Sequence, residues 1–272
     1  MISVRRNGLL KRIVVGVIAL AALVALLLLN GWYIKTAAVL VGILAQYEMI
    51  SALQKGGYKV TGILLLIYAF IIPVIFYFYR YSGIMAVFTG GMILICVIAI
   101  LFKEYTTEAI VPSIFGMCYP QLLFVSLYAI LMVEDPLMSS FLVSVSFGVS
   151  ICTDSFAYFV GKFLGRKKLC PEISPNKTIA GAIGGVFGGV FGMFLISVIF
   201  YSFSFVKWEL LLAGAVLSVF SQFGDLTASI IKRRCGIKDF GKVLPGHGGI
   251  LDRIDSVLFI MPLVYGCYLT II

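Results

Sequence analysis

Long apolar segments separated by short polar ones dominate the chain from one end to the other. A helix needs about 20 mostly apolar residues to cross a bilayer, and segments of that length recur throughout the sequence. The pattern predicts nine spanning helices, at roughly 13–30, 33–53, 60–79, 83–102, 108–133, 137–160, 179–203, 209–231 and 251–271. The predicted fold class is an all-α polytopic integral membrane protein with about nine transmembrane helices.

Composition agrees with this pattern. Hydrophobic residues make up 61% of the 272 residues and charged residues 12%, whereas a soluble domain has about half and about a quarter. No polar segment is long enough to form a separate soluble domain. The six cysteines are scattered without a CxxC pair, and there is one histidine, which argues against a zinc site or a disulfide framework.

Lysine and arginine are distributed asymmetrically between the predicted loops. If nine helices alternate across the membrane, 18 of the 21 basic residues fall on the side of the N-terminus, and only Lys35, Arg80 and Lys207 fall on the other. The positive-inside rule then places the N-terminus in the cytoplasm and the C-terminus on the opposite side of the cell (inner) membrane. The first segment lacks a small-residue cleavage site, so we expect it to be retained.

Polar chemistry is concentrated in the second half of the chain. Residues 1–149, covering helices 1–5 and the start of helix 6, are predicted to be a lipid-facing scaffold, with Gln46 and Glu48 as exceptions to its apolar character. Residues 150–272 are predicted to be the catalytic region, with cytoplasmic loops at 161–178 and 232–250.

The sixth predicted helix carries one polar face. Asp154, Tyr158 and Lys162 are spaced at i, i+4 and i+8 and therefore share that face. A carboxylate inside an apolar segment costs a few kcal/mol unless it has a partner, so Asp154 is a candidate functional residue. A structural ion pair between helices is the alternative, and the basic residues of the following loop could act only as orientation determinants.

The segment SPNKT precedes the seventh predicted helix. Ser174, Lys177 and Thr178 place two hydroxyls and an ammonium near a helix N-terminus, an arrangement that binds phosphate; a plain helix cap is the alternative. The glycines from Gly181 to Gly192 form overlapping GxxxG pairs, which are typical of close helix packing in membranes. A backbone exposed to a ligand near 181–185 is the other interpretation.

Three carboxylates are predicted to converge at the ends of the last two helices. Asp225 lies in the eighth helix, on one face with Ser229, Lys232 and Arg233, and Asp252 and Asp255 share a face of the ninth. A short glycine-rich loop joins these antiparallel helices. Grouped carboxylates suit Mg²⁺ better than zinc, and nearby cations could clamp phosphates, as phosphoryl and nucleotidyl transfer require.

The loop between these helices carries the only histidine, His247. A hydrogen-bonding role and a catalytic or phosphate-contacting role are both compatible with its position. The neutral hydrogen-bonding role is favoured, since the lysines and arginines nearby already supply permanent positive charge.

The run SIIKRRCGIKDFGKVLPGHGGILDRID resembles the signature of the CDP-diacylglycerol synthase (phosphatidate cytidylyltransferase) family. The matching positions are Ser229, Lys232, Arg233, Lys238, Asp239, Gly241, Pro245, His247, Gly248, Gly249, Asp252, Arg253 and Asp255. Further similarity is seen at Asp154, Ala157, Tyr158, Ser174, Pro175, Lys177, Thr178, Gly181, Gly224 and Asp225. The strong similarity covers about residues 150–260. Ala180 departs from the pattern, because many members carry Glu or Gln there.

The resemblance implies the reaction of CTP with phosphatidic acid to give CDP-diacylglycerol and diphosphate, in phospholipid biosynthesis. The expected catalytic residues are Asp225, Asp252, Asp255, His247, Lys232 and Arg233. The expected substrate contacts are Ser174, Lys177, Thr178, Asp154, Tyr158, Ser229, Lys238, Asp239, Gly248, Gly249 and Arg253. Asp225, Asp252 and Asp255 would hold Mg²⁺, alone or with a second cation. The expected partners are CTP, phosphatidic acid and the lipid bilayer; a homodimer is compatible with the sequence, and no nucleic acid is expected.

Three other functions are weighed against this one. A CTP transferase acting on an ether lipid differs only in the lipid chains, which the sequence barely separates. A cation or phosphate transporter could also use intramembrane aspartates, but it would typically show internal repeats or a pathway through both halves. A CDP-alcohol phosphotransferase is disfavoured, because Asp225 is followed by Leu226 rather than by the glycine of a DG-x-x-AR element.

Overall fold

The structure is a computed structural model that describes residues 2–29, 31–102, 107–201, 206–243 and 248–271. The chain forms two compact units. Unit 1 comprises Met1–Tyr128 and Arg234–Ile254, and unit 2 comprises Ala129–Arg233 and Asp255–Ile272. The predicted division into a scaffold at 1–149 and a catalytic region at 150–272 is a functional one, and it stays a prediction.

Helices account for most of the described chain. They are α1 (Ile2–Leu29), α2 (Gly31–Lys55), α3 (Gly62–Leu101), α4 (Thr107–Cys118), α5 (Gln121–Ile130), α6 (Pro136–Leu164), α7 (Ile179–Phe200), α8 (Trp208–Arg234) and α9 (Leu251–Ile271). Two short strands, β1 (Lys168–Cys170) and β2 (Ser174–Thr178), form an antiparallel hairpin between α6 and α7.

Within the described residues, seven helical segments are long and apolar enough to cross a membrane. They are Gly31–Lys55, Gly62–Leu101, Glu108–Ile130, Pro136–Leu164, Ile179–Phe200, Trp208–Arg234 and Leu251–Thr270. Val14–Leu29 is apolar but shorter. The protein is therefore an all-α polytopic membrane protein, and the number of nine passages stays a prediction.

Three predicted helices differ from the observed ones in their continuity. Segments 60–79 and 83–102 fall within the single element α3, which is interrupted at Arg80, where φ is 52° and ψ is −142°. The predicted helix 108–133 is divided into α4 and α5 at Pro120, since proline has no N–H to donate and its ring crowds the preceding turn.

Unit 1 is held together partly by buried amide side chains. The side-chain Nε2 of Gln46, in α2, donates to the carbonyl of Gly116 in α4 at 2.8 Å. The Nε2 of Gln121, at the start of α5, donates to the carbonyl of Gly42 in α2 at 2.9 Å. Because lipid tails are as apolar as leucine, such interhelical hydrogen bonds and close packing contribute to helix association in membranes.

Unit 2 is built on the glycines of α7, which allow very close helix approach. A Cβ on Gly188 would lie 2.5 Å from the carbonyl oxygen of Cys152 in α6, and one on Gly189 would meet the side chain of Ser218 in α8. The Ser218 hydroxyl donates to the carbonyl of Gly185 at 2.9 Å. The prediction that these glycines serve helix packing is confirmed.

The segment before α7 is a strand, whereas the sequence placed Ser174–Thr178 at a helix start. The helix itself begins at Ile179, as predicted, and the Thr178 hydroxyl accepts the N–H of Gly181 at 3.1 Å. Thr178 is thus a helix N-cap, and Ser174 and Lys177 belong to the hairpin that leads to it.

Candidate active site

Unit 2 contains a cavity of about 690 Å³ bounded by α6, the β-hairpin, α7 and α8. Its lining consists of Asp154, Ala157, Tyr158, Gly161, Lys162, Gly165, Lys168, Leu169, Ser174, Asn176, Lys177, Thr178, Gly181, Ala182, Gln222 and Asp225. Three ammonium groups, two carboxylates, hydroxyls and amides therefore surround one space, which is large enough for a phosphorylated ligand.

The α6 wall of the cavity has the polar face that the sequence predicts. Asp154, Tyr158 and Lys162 all line it. The Lys162 ammonium lies 5.8 Å from the centre of the Tyr158 ring, within the range of a cation–π contact. This places the ammonium and the phenol at the same end of the helix face.

An ion pair joins the hairpin wall to the α8 wall. The Lys177 Nζ lies 2.7 Å from Asp225 Oδ2, with the two side chains 24% and 35% exposed. The same Nζ donates to the carbonyl oxygen of Gln222 at 3.5 Å. Lys177 is thus fixed from two sides, which leaves little freedom for its ammonium and fits a preorganised phosphate contact.

Glycines set the width of the cavity where α6 ends and α7 begins. A Cβ on Gly161 would lie 2.9 Å from Thr178 Oγ1, and one on Gly181 would lie 2.8 Å from the carbonyl oxygen of Ala157. Larger side chains at these positions would push the helices apart. The backbone at Gly181 is thus part of the cavity wall as well as of the helix contact.

Asp255 is a buried carboxylate of unit 2, with 6% of its surface exposed. It accepts the N–H of Ser256 at 2.7 Å. Asp225, Lys232 and Asp154 interact with it electrostatically. Asp225 and Asp255, two of the three predicted metal ligands, therefore interact electrostatically within this unit.

Unit 1 contains the segments 239–240 and 248–250, which precede α9 and lie around the Asp252 side chain. The Asp252 Oδ2 accepts the N–H of Phe240 at 2.8 Å and the N–H of Gly249 at 2.9 Å. Gly248 has a φ of 85°, and a Cβ there would lie 2.9 Å from Asp252 Oδ2 and 3.3 Å from the Asp239 side chain. Only glycine combines that backbone conformation with that lack of space.

A second carboxylate meets the same loop from α2. Glu48 is 2% exposed. Its Oε1 accepts the N–H of Ile250 at 3.0 Å and its Oε2 accepts the N–H of Leu251 at 2.8 Å. These donors lie at the start of α9, where backbone N–H groups have no partner inside the helix.

Comparison with known proteins identifies the family. A family model described as the cytidylyltransferase family matches residues 10–271. The chain is 33% identical over 271 residues to the phosphatidate cytidylyltransferase of Bacillus subtilis (strain 168), covering 94% of this chain and 96% of that protein. The chain belongs to the cytidylyltransferase family.

Two staphylococcal relatives match a shorter region. The phosphatidate cytidylyltransferase of Staphylococcus saprophyticus is 46% identical over 112 residues, or 41% of this chain and 43% of that protein. The protein of the same name from Staphylococcus aureus (strain COL) is 48% identical over 112 residues, with the same coverage. These matches span less than half of each staphylococcal cytidylyltransferase.

Most of the predicted site residues lie in one of two places. Unit 2 brings Asp154, Tyr158, Ser174, Lys177, Thr178 and Asp225 to the cavity and buries Asp255. Its helix α8 also carries Ser229, Lys232 and Arg233, beyond Asp225. Unit 1 brings Asp239, Gly248, Gly249 and Asp252 together at the start of α9. Lys238 and Arg253 are exposed and adjacent to them in the sequence. His247 lies outside the described residues.

Two residues contribute to these sites in a way that the sequence did not reveal. Gln222 lines the cavity, donates to the carbonyl of Ala182 at 3.2 Å and accepts from Lys177. Glu48 binds the loop of unit 1. The role of Gln222 could have been predicted from the sequence, because Gln222 lies three residues before Asp225 and therefore on the same face of α8. The role of Glu48 could not, because its partners are backbone N–H groups, which almost every residue has.

One thiol near the signature is unsuited to act as a nucleophile. Cys235 follows α8 directly and is 4% exposed. Burial raises the pKa of the Cys235 thiol, so the reactive thiolate is scarce at neutral pH.

The carboxylates of the two units differ in how well they suit Mg²⁺. Mg²⁺ is typically bound by one or two carboxylates, with substrate phosphates and water as its other ligands. Asp225 and Asp255 supply such a pair in unit 2. Within the described ranges, no group of three or more His, Cys, Asp or Glu side chains is placed to hold a metal ion, and one oxygen of Asp252 already accepts two backbone N–H groups.

Proposed function

We propose that this chain is a CTP:phosphatidate cytidylyltransferase that makes CDP-diacylglycerol and diphosphate in a membrane. The observation that carries the proposal is the cavity of unit 2, in which Lys177 is paired with Asp225 at 2.7 Å among further ammonium, hydroxyl and amide groups. Membership of the cytidylyltransferase family and the apolar helices around the cavity support the same reaction.

The reaction needs charge neutralisation more than proton transfer. An oxygen of the phosphatidate phosphate attacks the α-phosphorus of CTP, a new P–O–P bond forms, and the bond to the β-phosphate breaks to release diphosphate. The attacking phosphate is already anionic, so no strong general base is required. The main barrier is repulsion between two negatively charged reactants, which fixed cations reduce.

The residues of the cavity would supply that stabilisation. Lys162, Lys168 and Lys177 bring three ammonium groups to its wall, and ammonium groups bind phosphate oxygens as point charges. Tyr158 and Ser174 add hydroxyl donors. The charge that develops on the bridging and leaving oxygens would thus meet donors that are already in place.

Asp225 and Asp255 would hold Mg²⁺, which when bound neutralises the charge of phosphate oxygens. Asp255 is buried beside Asp225 and Lys232, a setting in which a bound cation would offset the desolvation of two carboxylates. We propose Asp252 as a third member of the set on the strength of the signature. A second cation is part of the same proposal.

The loop of unit 1 is proposed to contact CTP or its diphosphate. Lys238 and Arg253 are exposed cations there. Gly248 and Gly249 would contribute through the backbone shape of the segment, in which the N–H of Gly249 is already donated to Asp252. Lys232 and Arg233 on α8 are proposed phosphate contacts of unit 2, with Ser229 on the same helix. For His247 we propose a neutral hydrogen-bonding role, since permanent cations are numerous.

The arrangement in the membrane follows from the sidedness of the basic residues. We propose nine passages, a cytoplasmic N-terminus and active site, and a C-terminus on the opposite side of the cell (inner) membrane. CTP would reach the site from water and phosphatidate from the bilayer. A homodimer is compatible with this arrangement.

The test is incubation of the purified protein in mixed micelles with diacyl phosphatidic acid, labelled CTP and Mg²⁺, followed by lipid extraction. Label is expected in the lipid phase as CDP-diacylglycerol, with one diphosphate released per lipid formed. Chelation of Mg²⁺ is expected to stop the reaction and added Mg²⁺ to restore it. A preparation that labels only a dialkyl phosphatidate would show an ether-lipid enzyme, and absence of labelled lipid with either substrate would refute cytidylyl transfer.

A further inference from the structure

Glu48 occupies a position that an apolar helix should not tolerate without strong partners. It lies within α2, a helix apolar enough to span the membrane, and only 2% of its surface is exposed. A buried carboxylate is costly unless it is hydrogen-bonded or paired. Both of its oxygens accept backbone N–H groups at 3.0 and 2.8 Å, from Ile250 and Leu251.

Those two donors make Glu48 the cap of a helix that is distant in sequence. Leu251 is the first residue of α9, and Ile250 directly precedes it. A side chain that caps a helix normally comes from the residue next to its first turn. Here the cap is contributed by α2, 202 and 203 residues earlier in the chain, and its negative charge is favourable at the positive end of the helix dipole.

Two glycines of the signature leave the space for this carboxylate. For both Gly241 and Gly249, the three atoms that an added Cβ would meet first all belong to the Glu48 side chain. Neither glycine has the positive φ seen at Gly248. Their lack of a side chain is therefore needed for the fit of Glu48 rather than for backbone conformation.

The same loop is tied to a proposed site residue. Gly249 donates its N–H to Asp252, and the next two N–H groups go to Glu48. Asp252 and Lys55 are the charged groups that interact with Glu48. The three consecutive backbone N–H groups of residues 249–251 are thus shared between the carboxylates of Asp252 and Glu48. A shift of Glu48 would therefore displace the N–H group that holds Asp252.

We propose that Glu48 is a positioning residue of the reaction, which holds residues 249–251 so that Asp252 and the segment 248–251 keep their productive arrangement. The inference rests on the proposed cytidylyl transfer, in which the loop contacts CTP. It assigns a role in the reaction to a residue of the N-terminal helices, far outside the signature. Glu48 acts through the loop and does not itself need to contact substrate.

The primary experiment compares Glu48→Gln, Glu48→Asp and Glu48→Ala with wild type by hydrogen–deuterium exchange of the peptide covering 248–252. Glutamine retains one acceptor oxygen and alanine none, so exchange at 250 and 251 should become about 10- to 100-fold faster, the range expected for loss of hydrogen bonds to a charged group. Exchange needs no turnover, so this result stands or falls independently of the proposed function.

Kinetics then separate positioning from substrate binding. A loop displaced by about 1 Å is expected to lower kcat by about 10- to 100-fold, with a much smaller change in the KM for CTP. Glu48→Asp keeps both acceptor oxygens and should retain more activity than Glu48→Gln. The matched control is Gln46→Ala, which removes an equally buried polar group from α2 whose partner is Gly116; it should lower the Tm but leave exchange at 250 and 251 unchanged.

A double-mutant cycle tests the contact without relying on one variant. The methyl group of Gly241→Ala would collide with Glu48, so this variant should lower kcat in the wild-type background and have a smaller effect in Glu48→Ala, where the space is open. Should Glu48→Ala fail to fold, Glu48→Asp takes its place in the cycle. Unchanged exchange at 250 and 251 in every Glu48 variant, or equal effects of Gly241→Ala in both backgrounds, would overturn the proposal.

Discussion

Lys177 shows how the site is organised at the scale of single residues. Its ammonium is held between a carboxylate of Asp225 and the carbonyl of Gln222, at 2.7 and 3.5 Å. A cation already fixed before substrate arrives stabilises developing negative charge more effectively than a mobile one. The Lys177 ammonium also explains how α8 can carry Asp225 in a largely apolar segment, because it pairs with the Asp225 carboxylate.

We expect Lys177→Met to lower kcat/KM by about 100-fold or more, the range found for removal of one preorganised donor to a developing charge. The measurement is CDP-diacylglycerol formation over a series of CTP and phosphatidate concentrations. The matched control is Lys167→Met, which removes an exposed lysine of the same loop that does not belong to the cavity lining. Equal losses in the two variants would show that net loop charge, not the position of Lys177, matters.

We expect Asp252→Asn to abolish turnover while the protein remains folded. Asparagine keeps one oxygen that can accept the N–H groups of Phe240 and Gly249, so the loop should keep its shape, but the negative charge is lost. Activity at saturating Mg²⁺ and the Tm are measured together. Glu172→Gln, at an exposed carboxylate of the hairpin, is the control for loss of one charge. Near-wild-type activity of Asp252→Asn would exclude an essential charge at this position.

The sequence predicted some of these residue contacts and missed others for a physical reason. Asp154, Tyr158 and Lys162 meet the same cavity because helical spacing fixes their common face. The contact between Glu48 and the loop before α9 has no such periodicity, since its donors are main-chain N–H groups present in nearly every residue. The one feature of the sequence that reflects this contact is the pair of glycines, Gly241 and Gly249, that leave space for the Glu48 side chain.

At the scale of elements, the contact between α6 and α7 depends on the absence of side chains. The carbonyl oxygen of Cys152 and the Cβ of Phe156 lie 2.5 and 2.7 Å from where a Cβ of Gly188 would be. Backbone at such distances leaves no flexible group that could move aside. The helices are therefore joined at a separation that only glycine permits.

We expect Gly188→Ala to destabilise the protein by about 1–3 kcal/mol, the usual effect of overpacking. Gly266→Ala is the matched control, since Gly266 lies in helix α9 of the same unit and an added Cβ would meet no atom within 4 Å. That variant should be neutral or stabilise by up to about 1 kcal/mol through helix propensity. Thermal unfolding in detergent measures both; a loss of stability at Gly266→Ala equal to that at Gly188→Ala would contradict the packing argument.

The ends of helices could be predicted where the hydropathy of the sequence changes. They could not be predicted where an apolar segment continues across the boundary. The helix from Leu251 to Ile271 begins and ends where the apolar pattern does. Pro120 divides an apolar segment that hydropathy alone treats as continuous. The hairpin at 168–178 was missed because its strands are only three and five residues long, too short for an alternating pattern to be recognised.

At the scale of the whole molecule, the sidedness of the basic residues predicts which loops share a compartment. In a cysteine-free background, Tyr33→Cys and Asn176→Cys place single thiols at two exposed positions. An impermeant maleimide added to intact cells should label position 33, and position 176 should react only after the cytoplasm is opened. Labelling of both positions from the same side would exclude the proposed orientation.

The bond between α2 and the loop before α9 also has a consequence for the synthesis of the protein. Glu48 and its two donors are separated by 202 and 203 residues, which a ribosome takes about 10–40 s to translate. During that interval the nascent second helix carries an acid whose backbone partners do not yet exist. The contact that α2 makes through Glu48 can therefore form only after residues 250 and 251 have been translated, so maturation of the N-terminal helices depends on a segment made about 200 residues later.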